Sequence, residues 1–184
     1  MYLMIDSGMR GGVCLISKRY AKAKKKALGP LYDPTKPSTF IIYMVANNLY
    51  GWEMSQILPI GEFTWVSPDI DIDWSQYEDD LRYGFIVECD LDYPPELHDT
   101  HNDYPLAAER VNIQIEMMSD KQEEISRHYN HSCTRRNYKL VPNLTNKLRS
   151  VCHKRLLKFY LQHGMRLTKV HRVIRFKQSR WMEP

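Results

Sequence analysis

FIIYMVANNLYGWEMSQILP, residues 40–59, opens with seven unbroken apolar residues, Phe40-Ile41-Ile42-Tyr43-Met44-Val45-Ala46. The run is short, rich in β-branched and aromatic side chains, and bounded upstream by Pro34 and Pro37. That pattern predicts a strand buried on both faces. Asn47 and Asn48 end it, and both are good helix N-caps. Leu49-Tyr50-Gly51-Trp52-Glu53-Met54 then reads as a short helix closed by residues 56–59. A strand that ends at the free N–H groups of a helix start makes an anion site. The same geometry also describes an ordinary strand-to-helix turn.

The chain has 184 residues, 43% of them hydrophobic and 26% charged, the balance of a globular domain. It has no apolar run of about 18 residues, so no membrane span is expected. The N-terminus Met1-Tyr2-Leu3-Met4-Ile5-Asp6 lacks the basic region and long apolar core of a signal peptide. Cys14, Cys89, Cys133 and Cys152 are widely spaced and read as reduced thiols of an intracellular protein, nuclear or cytoplasmic. The formal charge of +4 hides strong segregation. Residues 1–26 carry a net +6, residues 62–103 a net −12 and residues 135–184 a net +13. Two basic blocks around an acidic one point to a polyanion-binding region beside an acidic lobe, or to solvated faces that neutralise each other.

Arg10-Gly11-Gly12 precedes the apolar residues 13–16, which read as a strand. Paired glycines let another backbone approach closely, and Arg10 beside them suits a bidentate phosphate contact. Lys18 and Arg19, interleaved with Tyr20, suit a nucleic-acid backbone or a solvated loop. Residues 67–80 are acidic and turn-rich, which predicts a surface excursion. They lack the spacing of a calcium loop. Residues 83–92 alternate cleanly, with Phe85, Val87, Cys89 and Leu91 on one face and Ile86, Glu88, Asp90 and Asp92 on the other. His98-x-x-His101 and His128-x-x-His131-x-Cys133 lack the paired knuckles typical of zinc sites. Ser119 and Gln122 have capping-box spacing, predicting a polar helix to about Tyr129. Ser150 is expected to cap a helix to His163, ended by Gly164, with Leu157, Tyr160 and Leu161 inward and Lys154, Arg155 and Lys158 outward. Residues 167–177 alternate again. Val170, Ile174 and Phe176 face one way and Lys169, His171, Arg175 and Lys177 the other, a basic face suited to phosphates or to protecting a sheet edge.

Tyr43-x-Val45-Ala46-Asn47-Asn48-Leu49-Tyr50-Gly51-Trp52-x-Met54-Ser55-Gln56 resembles motif A of the family B DNA polymerases, more narrowly the protein-primed group of phages, linear plasmids and Maverick/Polinton-like mobile elements. Met9-Arg10-Gly11-Gly12 is similar to that group's Tyr-x-Gly-Gly motif, with Met9 at the aromatic position. Residues 139–144, KLVPNL, and residues 160–173, ahead of the family's motif B, resemble the same group. The resemblance implies an α+β fold: a partial polymerase palm, an antiparallel sheet with helices, carrying an insertion subdomain. It divides the chain into residues 1–60, the Gly-Gly segment and motif A; residues 61–149, an acidic palm and insertion region; and residues 150–184, a palm helix and basic strand.

It implies DNA primer-template as partner, contacted by Arg10, Gly11, Gly12, Lys18, Arg19, Lys169, Arg172 and Arg175. It implies weak dNTP contact through Ala46, Asn47, Asn48, Leu49 and Tyr50, with Tyr50 beneath the deoxyribose. A terminal protein is a further implied partner. The family's reaction uses Mg²⁺ held by carboxylates, but Val45 stands at the motif A Asp position and motifs B and C are absent. No catalytic residue is intact, and Mg²⁺ is not expected to bind productively. The expected function is a catalytically dead piece of a DNA-directed DNA polymerase. A non-catalytic DNA-binding module or a decayed mobile-element remnant is the alternative.

Overall fold

Residues 83–92 and 166–179 form the two central strands of the molecule. The computed structural model describes every residue except 12, 14, 19, 77, 79–81, 130–137, 183 and 184. In chain order the elements are α1 (Tyr2–Gly8), α2 (Leu49–Met54), β1 (Leu58–Val66), β2 (Tyr83–Asp92), α3 (His98–His101), β3 (Glu109–Asn112), α4 (Asp120–His128), β4 (Tyr138–Val141), β5 (Lys147–His153), α5 (Lys154–Gln162) and β6 (Arg166–Ser179). Short 3-10 turns occupy Lys26–Leu31, Pro95–Leu97 and Ile115–Met117. The fold is α+β. Four strands form an antiparallel sheet in the order β1-β6-β2-β5, and β3 and β4 form a separate two-stranded ribbon.

The faces of the sheet differ. On the covered face Phe85, Val87, Cys89 and Leu91 of β2 join Cys152 of β5 and Val173 of β6. Leu157 and Tyr160 of α5 close over them, as the stripe on that helix predicts. Burial of these side chains at about 1.5–3 kcal/mol each is the main force holding helix to sheet. Burial also pushes the Tyr160 hydroxyl up to about 12. Cys89 and Cys152 are free, buried thiols, and the Cys152 hydrogen bond together with burial pushes the Cys89 thiol up. The other face is more open. α1 covers part of it by burying Met4 against Val151 and Ile174.

α4 forms as the sequence predicts, with Ser119 Oγ accepting from the Gln122 N–H and the Gln122 side chain accepting from the Ser119 N–H. None of its residues is buried. α5 ends as predicted too, with Gly164 at φ 92° directly after the C-cap His163.

Several expectations are overturned. Residues 40–46 are not a buried strand: they lie outside every strand, and residues 34–50 are all exposed. The physical reason is that the sheet has no place for them. β6 and β2 are paired on both sides. The free edge of β1 is interrupted by Pro59 and by register breaks around Gly61 (φ 144°) and Glu62 (φ 56°), features that blunt an edge against further pairing. The free edge of β5 is held by Arg10, whose guanidinium donates to Val151 O at 2.5 Å. Residues 13, 15 and 16 are likewise not in a strand. Residues 147–153 form β5 rather than the start of a helix, so His153 caps α5, its Nδ1 accepting from the Arg155 N–H at 3.2 Å. Lys154 is buried rather than outward, donating to Glu78 O at 2.8 Å. The acidic excursion returns Trp74 to the core, with Ile70 and Ile72 partly buried against it; Trp74 packs edge-on against Phe85 with ring centroids 5.7 Å apart.

Candidate nucleic-acid interface

β6 and β2 run antiparallel with acids facing bases. Asp92 lies opposite Arg166, Asp90 opposite Lys169 and Glu88 opposite Arg172. Opposite-charge cross-strand pairs contribute about 0.2–1 kcal/mol each. Because β6 uses one extra residue between Arg172 and Val170, and another between Lys169 and Leu167, strict alternation fails there. Val170 and Leu167 consequently face the core with Val173, while Arg172, Lys169 and Arg166 share the open face. Arg175 lies opposite the core residue Phe85, on the covered side, with its guanidinium 4.8 Å from the Tyr83 ring. The continuous basic face expected of this strand is therefore corrected. Val173, fully buried, interrupts the row of Lys169, His171, Arg175 and Lys177. Nor is β6 an edge strand, since β1 and β2 flank it.

Glu88 anchors the open face. Its side chain is buried, and it accepts from Arg172 Nε and, at 3.1 Å, from Arg172 Nη2. Arg149 Nε on β5 donates to the same carboxylate at 3.2 Å. The Arg172 hydrogen bond holds the Glu88 carboxyl below its ordinary value against the opposing effect of burial. Asp90 is lowered chiefly by the backbone N–H of Arg149, which donates to Oδ1 at 2.7 Å. His171 Nε2 lies 2.8 Å from that oxygen. Arg149, which sequence reading passed over, sits at φ 51°, and this backbone turn aims both its N–H and its guanidinium at β2. Nothing in its local sequence marks that role, which depends on the pairing of β5 with β2.

Arg149 also reaches a cleft of about 360 Å³ between α1, the β3–β4 ribbon and β5, lined by Asp6, Ser7, Arg10, Glu109 and Arg110 among others. Arg10 is not a free phosphate ligand here. Its guanidinium donates to Ala108 O at 2.8 Å, Gly8 O at 3.0 Å, Val151 O at 2.5 Å and Ser150 Oγ at 3.0 Å. It is a clamp joining α1, β5 and the approach to β3.

Of the other expected contact residues, Gly11 is exposed, with open space where a Cβ would stand. Lys18 is exposed and lies 3.9 Å from Asp103. Gly12 and Arg19 lie outside the described residues. Val45, Ala46, Asn47, Asn48, Leu49 and Tyr50 are all exposed, and no residue of α2 is buried. Asn48 takes the left-handed conformation (φ 51°, ψ 42°) and caps α2 without a side-chain hydrogen bond to it. Its carboxamide lies over Gly51, where a Cβ would come within 2.4 Å of it.

Among the described residues, no helix is long and apolar enough to cross a membrane. Compared with family models, curated proteins and solved structures, the chain matches none.

Proposed function

We propose that this chain is a non-catalytic palm piece of a protein-primed family B DNA polymerase, and that it binds DNA through the open face of its sheet. The observation that carries the reading is the placement of Arg149, Arg166, Lys169 and Arg172, all exposed, on one sheet face while α5 covers the other. Glu88 fixes the guanidiniums of Arg149 and Arg172, Lys169 stands beside Asp90 and Arg166 opposite Asp92, and such a row of cations suits a phosphate backbone. Antiparallel strands covered by α5 on one face, and only partly by α1 on the other, fit the palm that the resemblance implies. The reading also includes a weak dNTP contact by the exposed turn at residues 46–50 and a terminal-protein contact within residues 61–149.

Position 45 does not fit Mg²⁺. Val45 presents hydrocarbon where the reaction needs a carboxylate oxygen, so no step of nucleotidyl transfer is assigned to this chain. The test combines two measurements. Purified protein given primer-template, dNTPs and Mg²⁺ should extend nothing. It should still bind the primer-template, with an affinity that falls steeply as salt rises. Extension would refute the loss of catalysis, and binding insensitive to salt would refute the phosphate contact.

A further inference from the structure

The longest apolar stretch of the chain is left without a partner in its own fold. Phe40, Ile41, Ile42, Tyr43, Met44 and Val45 are all well exposed, Tyr43 at 89%. Leu49, Tyr50, Trp52 and Met54 of α2 continue the surface. A bridge between Lys24 and Thr39, with hydrogen bonds of 3.0 and 2.7 Å, fixes the chain just before the stretch. Among the described residues the backbone groups of residues 40–46 join no ladder. Unpaired backbone on an apolar, β-branched run is a template for strand addition.

The sheet does not supply the missing strand. Bulges and Pro59 break the free edge of β1, and Arg10 occupies the free edge of β5. The segment itself is unbroken. It holds no proline, glycine or charge, and the nearest charged residues are Lys36 and Glu53. Two copies can therefore meet antiparallel without placing like charges opposite each other. Covering the aromatic members Phe40, Tyr43, Tyr50 and Trp52, at about 150–250 Å² each, would remove surface per copy on the order of the ~800 Å² of a stable interface. α2 follows within three residues and brings Leu49, Trp52 and Met54 as cover for the paired strands, which a bare two-stranded ribbon requires.

We infer that residues 40–46 form an isologous dimer contact, an antiparallel strand pair between two copies of this chain with Tyr43 at the two-fold axis. In that register Phe40 meets Ala46, Ile41 meets Val45, Ile42 meets Met44, and each Tyr43 meets its counterpart. The contact is separate from the cationic face of β6, so DNA binding and dimerisation can fail independently.

Sedimentation velocity over a concentration series tests it. The wild-type chain should pass from monomer to dimer in the micromolar range. Tyr43→Lys and Tyr43→Glu should each be monomeric, since each sets like charges face to face at the axis. At concentrations where the wild type is monomeric, both should keep its circular dichroism and melting, because Tyr43 is outside the core; only the wild type's melting should rise with concentration. Mixing the two variants should restore a dimer, because only then do opposite charges meet. A wild-type chain monomeric up to about 100 μM, a wild type forming polydisperse aggregates, variants that stay dimeric, or a mixture that stays monomeric would each overturn the inference.

Discussion

Glu88 ties three strands with one carboxylate, accepting from Arg172 on β6 and Arg149 on β5. Its folded pKa lies below the ordinary 4.5. Above that value both folded and unfolded chains carry the charge, and the interaction contributes fully. As pH falls below 4.5 the unfolded chain takes up the proton first, so stability drops until the folded carboxyl titrates as well. Glu88→Gln should cost about 1–2 kcal/mol at neutral pH and flatten the loss of stability between pH 4.5 and lower values, as read by urea denaturation at several pH values. Gly84 is a second sensitive residue. An added Cβ would meet the Phe176 ring at 2.3 Å and Gln178 Oε1 at 2.4 Å, so Gly84→Ala should destabilise by about 1–3 kcal/mol in the same measurement. Residue chemistry was partly legible in advance. The Ser119 cap follows from side-chain type and spacing alone. Arg10 was not legible, because its acceptors belong to residues 108, 150 and 151, far along the chain.

At the scale of elements, local periodicity specified β2 and the inner stripe of α5, where one face is buried and alternation is uninterrupted. It failed in β6, because the extra residues beside Val170 and Leu167 come from pairing with β2 and leave no local signal. It failed more completely at residues 40–46. Seven apolar residues describe a strand only where a sheet has an unpaired edge to receive them, and both edges here are blocked. α4 shows the opposite case, a helix specified by its cap with none of its residues buried. Ser119→Ala should reduce the stability of that helix by about 1 kcal/mol. Amide exchange should become faster within Asp120–His128, while the thermal midpoint of the sheet stays unchanged because α4 buries no residue. A fall in the midpoint would mean that α4 supports the core.

For the whole molecule, the segregation of charge found in the sequence becomes a pairing of strands. The acidic block supplies β2 and the basic block supplies β5 and β6, so folding brings Glu88, Asp90 and Asp92 against Arg172, Lys169 and Arg166. Part of the basic block is thus spent within the sheet, and the exposed remainder forms a narrower cationic surface than composition implies. The α+β class and the antiparallel arrangement of strands were readable. The division of β6 between two faces was not, and it moves Arg175 away from Lys169 and Arg172. The proposed DNA contact is confined to the open face of the sheet and does not extend over the whole of β6. Fluorescence anisotropy of labelled primer-template across a salt series tests it most directly, comparing wild type with Lys169→Ala and Arg175→Ala. Lys169→Ala should weaken binding and lower the slope of log K against log salt by about 1, while Arg175→Ala leaves the slope unchanged. Equal losses in the two variants, or none in Lys169→Ala, would contradict the account.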